Sequence, residues 1–260
     1  MIEQAARVTK QVLRSPGVYR AARAAARAVL SRLYARDLTM LAVLHGTDKW
    51  GSHHWYTPHY EAQFRALRTK RLKILEIGVG GYADPAAGGE SLRMWKYYFP
   101  RSQIYALDLY DKSPLEEPRI RIFRGSQDDP ACLRRVAEEM GRIDIVIDDG
   151  SHVNAHVITS FRTLFPLLEP GGVYAVEDTQ TTYWPAYGGD SYELSSPKTM
   201  LGFLKSLADA VNYQELARRG YEPTYFDRNV TAVHFYHNLV FVTKGANEEP
   251  GGGLAAKHLY

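Results

Sequence analysis

The segment Ile143-Asp144-Ile145-Val146-Ile147-Asp148-Asp149-Gly150-Ser151-His152 joins an apolar run to two aspartates, a glycine turn and a histidine. A second apolar run, at 173–176, is followed in the same way by Glu177-Asp178. Because ligands of parallel sheets bind at the carboxyl ends of the strands, these residues are expected at one edge of a sheet. Carboxylates and a histidine that meet there favour an enzyme with a divalent metal and a catalytic base.

Two kinds of pattern alternate from Lys73 onward, and together they predict the fold class. Short apolar runs predict strands at 74–79, 104–109, 120–123, 143–147 and 173–176. Helical spacing predicts helices at 91–98, 131–140, 157–168 and 200–217, and Pro170-Gly171-Gly172 predicts a sharp helix-to-strand turn. Runs at 230–235 and 239–243 predict a closing antiparallel hairpin. Strands that alternate with helices imply an α/β fold with a doubly wound, mostly parallel sheet.

The chain is expected to have three parts. Residues 1–40 are rich in alanine and arginine and predict a basic helical arm, which Ser15-Pro16-Gly17 would split in two. Residues 41–247 form the expected catalytic domain, and 248–260, with three consecutive glycines, a flexible tail. The arm would pack on the domain or on a neighbouring subunit, or else contact an anionic surface.

Composition limits the compartment and the partners. The single cysteine, Cys132, excludes an internal disulfide and fits a reducing cytoplasm. No apolar run is long enough to span a membrane, and the arm lacks the uninterrupted apolar core of a signal peptide. The net charge of +3 is small, and the basic residues do not cluster around the expected site. A nucleic-acid partner is therefore not expected.

A glycine-rich turn, Glu76-Ile77-Gly78-Val79-Gly80-Gly81, follows the first predicted strand. Its glycines let the backbone approach a ligand closely, but the spacing is not that of a dinucleotide fingerprint. Asp108 ends the second strand, where its carboxylate could accept hydrogen bonds from ribose hydroxyls or simply begin a turn. Gln127-Asp128, after the third strand, could contact an adenine edge or cap the helix near Pro130.

The glycine-rich turn, Ala106-Leu107-Asp108, the Pro170-Gly171-Gly172 turn and the closing hairpin together resemble the class I S-adenosylmethionine-dependent methyltransferases, which implies a Rossmann-like seven-stranded sheet. More narrowly, the chain resembles the metal-dependent sugar O-methyltransferases of macrolide tailoring, of the mycinamicin VI and demethylmacrocin type. The macrolide enzymes have a longer amino-terminal domain, in whose place this sequence has the arginine-rich arm. The chain is also similar to a mycobacterial methyltransferase of methylmannose polysaccharide synthesis, which resembles that family in a compact form. The narrower resemblance rests on Thr47-Asp48-Lys49-Trp50-Gly51, Tyr56-Thr57-Pro58-His59-Tyr60, Asp148-Asp149-Gly150-Ser151-His152, Glu177-Asp178, Tyr183-Trp184-Pro185 and His234-Phe235-Tyr236-His237-Asn238.

The resemblance implies roles for particular residues. Asp149, Glu177 and Asp178 would bind Mg²⁺, and His152 would act as general base beside Asp149. Adjacent residues of a regular strand point to opposite faces, so Glu177 and Asp178 converge only if the chain leaves the strand there. Asp148 suits a cofactor or structural role better than a metal role. The residues expected to contact S-adenosylmethionine are Glu76, Gly78, Gly80, Ser91, Asp108, Gln127, Asp128, Asp148, Thr47 and Lys49.

The implied reaction is methyl transfer to a sugar hydroxyl, which a bound Mg²⁺ would acidify and hold in line. Histidine accepts protons near neutral pH, which suits His152 as the base. The acceptor would be a saccharide or a glycosylated small molecule, of mannoside or rhamnoside type, under an aromatic lid at 183–192. The alternatives are a catechol-like or other vicinal diol as acceptor and, outside catalysis, a cofactor-binding assembly module. A cytoplasmic homo-oligomer is expected.

Overall fold

A computed structural model describes residues 16–251, so the start of the predicted arm and most of the predicted tail lie outside the described residues. The described residues form two compact units, one of 16–69 with 93–100 and the other of 70–92 with 101–251. Within this part of the chain, no helix combines the length and the apolar character needed to cross a membrane. The predicted boundaries near residues 40 and 247 stay predictions.

The first unit is helical. Its helices are α1 (Pro16–Leu33), α2 (Leu38–His45) and α3 (Thr57–Phe64). Helix α2 begins where the side chain of Asp37 accepts the amide of Met40 at 2.8 Å, and it ends at Gly46 in the left-handed region. Helix α1 is described from Pro16, the first residue of the described part of the chain, to Leu33.

Aromatic side chains form the core of this first unit. The rings of Tyr60 and Trp95 meet edge-on at 5.0 Å, and Phe64 and Phe99 pack against them. All four are fully buried. Such edge-to-face pairs contribute about 0.5–1.5 kcal/mol beyond their burial, so the unit has an aromatic core of its own.

The second unit contains a seven-stranded sheet. Its strands are β1 (Lys73–Ile77), β2 (Gln103–Asp108), β3 (Ile120–Arg124), β4 (Ile143–Asp148), β5 (Leu168–Glu177), β6 (Val230–Tyr236) and β7 (Leu239–Lys244). Their order is β3-β2-β1-β4-β5-β7-β6. The first five strands are parallel, and β7 pairs antiparallel with both β5 and β6. The predicted mostly parallel sheet with a closing antiparallel hairpin is confirmed.

The remaining helices are α4 (Glu90–Tyr98), which begins in the second unit and has residues 93–98 in the first, and α5 (Pro130–Met140), α6 (Asn154–Leu164), α7 (Met200–Val211) and α8 (Tyr225–Asn229), all in the second unit. One continuous apolar core, with residues such as Val146, Phe161 and Leu204, joins the sheet to α5, α6 and α7. The sheet order reverses between β1 and β4, which is where doubly wound folds open a ligand crevice.

Four predicted boundaries are wrong, each for a local reason. Strand β1 ends at Ile77 and not at residue 79, because Gly78, at φ 94°, turns the chain out of the strand. Pro170-Gly171-Gly172 lies inside β5 and not before it, because Gly171, at φ 79°, lets the strand bend without ending. Helix α6 starts at Asn154 and ends before a short 3₁₀ turn around Pro166, which cannot donate a helical hydrogen bond. Helix α7 ends at Val211, where the side chain of Asn212 donates to the carbonyl of Ala208.

Candidate active site

The turn after β4 carries Asp149 and His152 beside the glycine-rich turn after β1. The pairing of β1 with β4 ends at Ile77 and Asp148, and the amide of Asp149 donates to the carbonyl of Ile77 at 3.0 Å. Gly78 has a φ of 94°, and a Cβ on it would lie 2.1 Å from the carbonyl oxygen of Asp149. Only glycine allows the two turns to approach this closely.

The turn after β5 brings Asp178 to the same edge. Glu177 is the last residue of β5, where it is 2% exposed and pairs with Leu239. Asp178 has a left-handed φ of 53°, and the 3₁₀ turn Thr179–Tyr183 follows directly. The chain therefore leaves the strand at Asp178. The two adjacent side chains, Glu177 and Asp178, can converge only if the chain does so.

Among the described residues, one group of acidic and histidine side chains is compact enough to share a metal ion. Asp149, His152 and Asp178 each offer one ligand atom, and these atoms lie within 4.8 Å of one another. Nε2 of His152 is 3.7 Å from Oδ2 of Asp178, and all three residues are half-buried. The turns after β4 and β5 thus bring together a cluster that is accessible to solvent and to a substrate.

The carboxylates of this cluster fit Mg²⁺. The ion prefers oxygen ligands and retains waters or substrate oxygens in its shell, so Asp149 and Asp178 could hold it with positions left for an acceptor. Imidazole is a better ligand for zinc, copper or iron, which suits His152 for proton transfer. Glu177 is outside this group of three, and its metal role stays a prediction.

Asp148, by contrast, points into the protein. Its buried carboxylate accepts hydrogen bonds from Gln127 Nε2 and the Tyr174 hydroxyl, each at 3.0 Å, and from the Ser160 hydroxyl. Burial raises the pKa of Asp148, opposed by these hydrogen bonds and by the charge of His152. Asp148 is therefore outside the group of three residues that could share a metal ion, and its predicted cofactor role stays a prediction.

Gln127 connects Asp148 to the turn after β4. While its Nε2 donates to Asp148, its Oε1 accepts the amide of Ser151 at 2.6 Å. A Cβ on Gly150 would lie 2.1 Å from that Oε1, so glycine is required for this contact. Both ends of the buried amide are used inside the protein, and its predicted adenine contact stays a prediction.

Asp128 lies on the surface nearby and does not cap the following helix. The side chain of Asp129 caps α5 by accepting the amide of Ala131 at 2.9 Å. Asp128 accepts the hydroxyl of Ser126, which is the main reason that its pKa is lowered. Its predicted contact with the cofactor also stays a prediction.

Asp108 lies against the glycine-rich turn. Its Oδ2 accepts the amide of Val79 at 2.9 Å, and its Oδ1 accepts the amide of Tyr110 at 2.8 Å. Each carboxylate oxygen has a second lone pair, which a ribose hydroxyl could use. Gly78 and Gly80, both with positive φ, form the adjacent backbone. The predicted cofactor residues Gly78, Gly80 and Asp108 are therefore brought together.

Four further residues were predicted to contact the cofactor. Glu76 is fully buried in β1 and accepts the hydroxyl of Ser91, at the start of α4, at 3.0 Å. Thr47 and Lys49 belong to the first unit, where the amide of Lys49 donates to Oγ1 of Thr47 at 3.3 Å. The contacts of these four residues with S-adenosylmethionine stay predictions.

Sequence reasoning missed two buried residues next to the cluster. The hydroxyl of Thr181 lies 2.8 Å from the carbonyl oxygen of His152 and 3.2 Å from that of Asp178. Nδ2 of Asn154 donates to the carbonyl of Thr181 at 3.1 Å and to that of Tyr187 at 2.9 Å. Thr181 lies in a short 3₁₀ turn and Asn154 is the first residue of α6, and neither position is part of a periodic apolar pattern, so nothing in the sequence marked either residue.

The loop after Asp178 presents aromatic side chains to solvent. Trp184 is 48% exposed and Tyr192 is 95% exposed, and the rings of Trp184 and Tyr187 are 5.9 Å apart. Loops at the carboxyl edge of such sheets commonly hold substrate. The predicted role of 183–192 as an acceptor lid stays a prediction.

A separate cavity lies at the opposite end of the strands. It has a volume of about 470 Å³ and is lined by Arg71, Leu72, Lys73, Arg101, Gln103 and Arg142. These residues are at the amino ends of β1, β2 and β4, whereas Asp149 follows the carboxyl end of β4. Arg142 pairs there with Asp144 at 2.5 Å. This cavity is therefore distinct from the acidic cluster.

The sheet order, the glycine-rich turn and the acidic cluster at the strand ends together define a class I methyltransferase fold. No protein-family model matches the chain. Over 216 residues, 83% of the chain, it is 53% identical to demethylmacrocin O-methyltransferase from Streptomyces fradiae and 52% identical to mycinamicin VI 2''-O-methyltransferase from Micromonospora griseorubida. It covers 55% and 54% of those two proteins.

A solved structure gives the same result. MycE methyltransferase from the mycinamycin biosynthetic pathway, in complex with Mg and SAH, superposes with a TM-score of 0.81 at 52% identity, over 83% of this chain and 56% of that one. The predicted resemblance to macrolide sugar O-methyltransferases is thus confirmed for the matched region. The chain spans little more than half the length of these relatives.

Proposed function

We propose that this chain is an S-adenosylmethionine- and Mg²⁺-dependent O-methyltransferase that acts on a sugar hydroxyl of a glycosylated small molecule. The observation that carries the proposal is the cluster of Asp149, His152 and Asp178, whose ligand atoms lie within 4.8 Å beside a glycine-rich turn. Support comes from relatives above 50% identity that are named as O-methyltransferases. One related structure holds Mg, SAH and mycinamycin VI.

The metal would supply acidification and orientation of the acceptor hydroxyl. Asp149 and Asp178 would hold it with carboxylate oxygens, and Glu177 remains the third proposed ligand. A sugar hydroxyl is a poor nucleophile while it keeps its proton, so positioning and proton removal are both needed. The cluster places two carboxylates and one imidazole where a single hydroxyl could meet all three.

Side chains of the protein would remove the proton of the acceptor hydroxyl. His152 would accept the hydroxyl proton as the oxygen attacks the methyl carbon, and the carbon–sulfur bond breaks in line. The products are a methyl ether, S-adenosylhomocysteine and a protonated imidazole. Asp178, 3.7 Å from Nε2 of His152, would stabilise that positive charge. General-base catalysis of this kind contributes roughly 10²- to 10⁴-fold, and positioning the reactants contributes more.

The test is methyl transfer from S-adenosylmethionine to mannosides, rhamnosides and glycosylated macrolides, followed by mass spectrometry with Mg²⁺ and with EDTA. The proposal predicts a gain of one methyl group on a sugar, abolished by EDTA and restored by excess Mg²⁺. Transfer to a catechol but to no sugar would show that the acceptor is a catechol-like diol and not a sugar. Cofactor binding without any transfer would contradict the enzymatic function.

We further propose that the protein works in the cytoplasm as a homo-oligomer. The single cysteine, buried in α5, fits a reducing compartment. Val29, Leu30, Leu33 and Tyr34, at the end of α1 and just after it, expose apolar surface that a second copy could cover. Light scattering of the wild type and of Leu33→Glu tests the assembly. A monomeric wild type would contradict it.

A further inference from the structure

Two residues of the acidic cluster have a backbone conformation that side chains disfavour. His152 has a φ of 55° and Asp178 a φ of 53°, both in the left-handed region. For residues other than glycine this conformation is generally unfavourable, so surrounding contacts must maintain it. The two residues follow different strands, β4 and β5, and yet their side chains meet at 3.7 Å.

One hydroxyl group contacts both strained residues. Oγ1 of Thr181 lies 2.8 Å from the carbonyl oxygen of His152 and 3.2 Å from the carbonyl oxygen of Asp178. A hydroxyl has a single proton, so the two carbonyls share one donor. Thr181 is 2% exposed, and water therefore has little access to replace that donor.

Thr181 is itself held in place from two sides. Its amide donates to the carbonyl of Asp178 at 3.2 Å. Its carbonyl accepts Nδ2 of Asn154, a residue 1% exposed whose Oδ1 accepts the amide of Met200 at 2.6 Å. The position of the Thr181 hydroxyl is therefore fixed by hydrogen bonds that lead to the first residues of α6 and α7, and not by a mobile loop.

We propose that Thr181 is a positioning residue that locks the turns after β4 and β5 to each other, so that the metal cluster is formed before any ligand arrives. The inference rests on the proposed function for the identity of the ligand. Without the hydroxyl, both carbonyls lose their shared donor and the two left-handed turns can relax independently. The carboxylates of Asp149 and Asp178 would then need ordering at each binding event, which weakens metal binding.

The experiment compares three variants by calorimetric titration of Mn²⁺ and Mg²⁺ with S-adenosylhomocysteine present. Thr181→Val removes the hydroxyl at nearly constant shape, and Thr181→Ser keeps it. Thr182→Val is the matched control, because buried Thr182 accepts the amide of Leu201 at 3.0 Å and does not contact the cluster. We expect at least tenfold weaker metal binding for Thr181→Val and changes below threefold for the other two variants.

Hydrogen exchange, measured without metal, separates this inference from the proposed function. Thr181→Val should speed exchange at 149–153 and at 178–183 together, whereas Thr182→Val should affect only the start of α7. If Thr181→Val leaves both exchange and metal affinity at wild-type values, the positioning role is wrong and the proposed function stands. If the wild type binds no metal while Thr181→Val still speeds exchange in both turns, the proposed metal site is wrong. The role of Thr181 in holding the two turns together is then still supported. Thr181→Ala replaces Thr181→Val if circular dichroism shows that the valine variant is unfolded.

Discussion

His152 and Asp178, 26 positions apart in the chain (178 − 152), face each other with Nε2 and Oδ2 separated by 3.7 Å, and both have left-handed backbones. A carboxylate at this distance stabilises a protonated imidazole. Both side chains belong to the group of three that also contains Asp149. The pair therefore joins the proposed base to a proposed metal ligand, and the predictions below separate these two roles.

Removal of the imidazole should abolish turnover without loss of the cofactor. We expect His152→Ala to bind S-adenosylmethionine and Mg²⁺ within about threefold of the wild type, while kcat falls by roughly 10²- to 10⁴-fold. Single-turnover rates and calorimetric titration measure the two effects. His234→Ala, which alters an exposed histidine on β6, is the control and should keep full activity. Near-normal turnover of His152→Ala would exclude His152 as the base.

Gly78 should be the least replaceable glycine of the turn after β1. Gly78→Ala combines a φ of 94° with a Cβ 2.1 Å from the carbonyl of Asp149. We expect a loss of more than about 3 kcal/mol in the free energy of unfolding, because steric overlap adds to the left-handed strain. Gly171→Ala, at φ 79° with nothing within 4 Å, should lose only about 1 kcal/mol.

Urea denaturation of these two alanine variants and of the wild type gives the comparison. Equal losses for Gly78→Ala and Gly171→Ala would show that backbone strain alone acts at both glycines. The close approach of the turns after β1 and β4 would then be looser than the structure shows.

Asp148 should make stability depend on pH in a characteristic direction. Burial raises its folded-state pKa above the unfolded value of about 3.9. Its contribution is therefore fully present below pH 4 and is lost as the pH rises through the folded-state pKa. Asp148→Asn cannot ionise, and hydroxyls of Ser160 and Tyr174 can turn to accept its amide.

Urea unfolding of wild type and Asp148→Asn at a series of pH values measures this contribution. The stability difference, wild type minus variant, should decrease as the pH rises above 4. Other carboxylates, such as Asp128 with its lowered pKa, act in the opposite direction and cancel in the difference. A difference that increases with pH would mean that Asp148 is stabilised in its ionised form.

Asp108 should contribute to cofactor affinity without affecting the metal. Asp108→Asn keeps one acceptor for the amide of Val79 but loses the charge proposed to bind ribose. Hydrogen bonds to charged groups contribute about 1.5–3 kcal/mol, so the Kd for S-adenosylhomocysteine should rise by roughly 10- to 150-fold. Asp111→Asn, at an exposed aspartate of the next loop, is the control. An unchanged Kd in Asp108→Asn would show that the carboxylate of Asp108 does not bind the ribose.

The sheet, and the edge of it that carries the candidate site, could be predicted because the sequence patterns that mark them are local. Apolar runs that end in Asp148-Asp149 and Glu177-Asp178 mark strand ends, and parallel strands align those ends. The glycines of the first turn are equally visible in the sequence. The conflict between adjacent Glu177 and Asp178 even indicated that the chain must leave the strand there.

The remaining details depend on contacts that no local pattern records. The left-handed conformation of His152 is accompanied by a hydrogen bond from the Thr181 hydroxyl, which is distant from His152 in sequence, so no local pattern predicts it. Gln127 suggested either a cofactor contact or a cap, yet its amide connects Asp148 with Ser151. Helix α7 ends early for a comparable reason, since a side-chain hydrogen bond of Asn212 closes it.

The most direct test of the central claim is methyl transfer to a glycosylated macrolide with free sugar hydroxyls, measured as a function of Mg²⁺ for wild type and Asp149→Asn after removal of metal. We predict a saturable Mg²⁺ dependence for the wild type. For Asp149→Asn we predict no transfer at any Mg²⁺ concentration, although S-adenosylhomocysteine still binds. Transfer that continues in EDTA, or an Asp149→Asn variant as active and as metal-dependent as the wild type, would contradict the account.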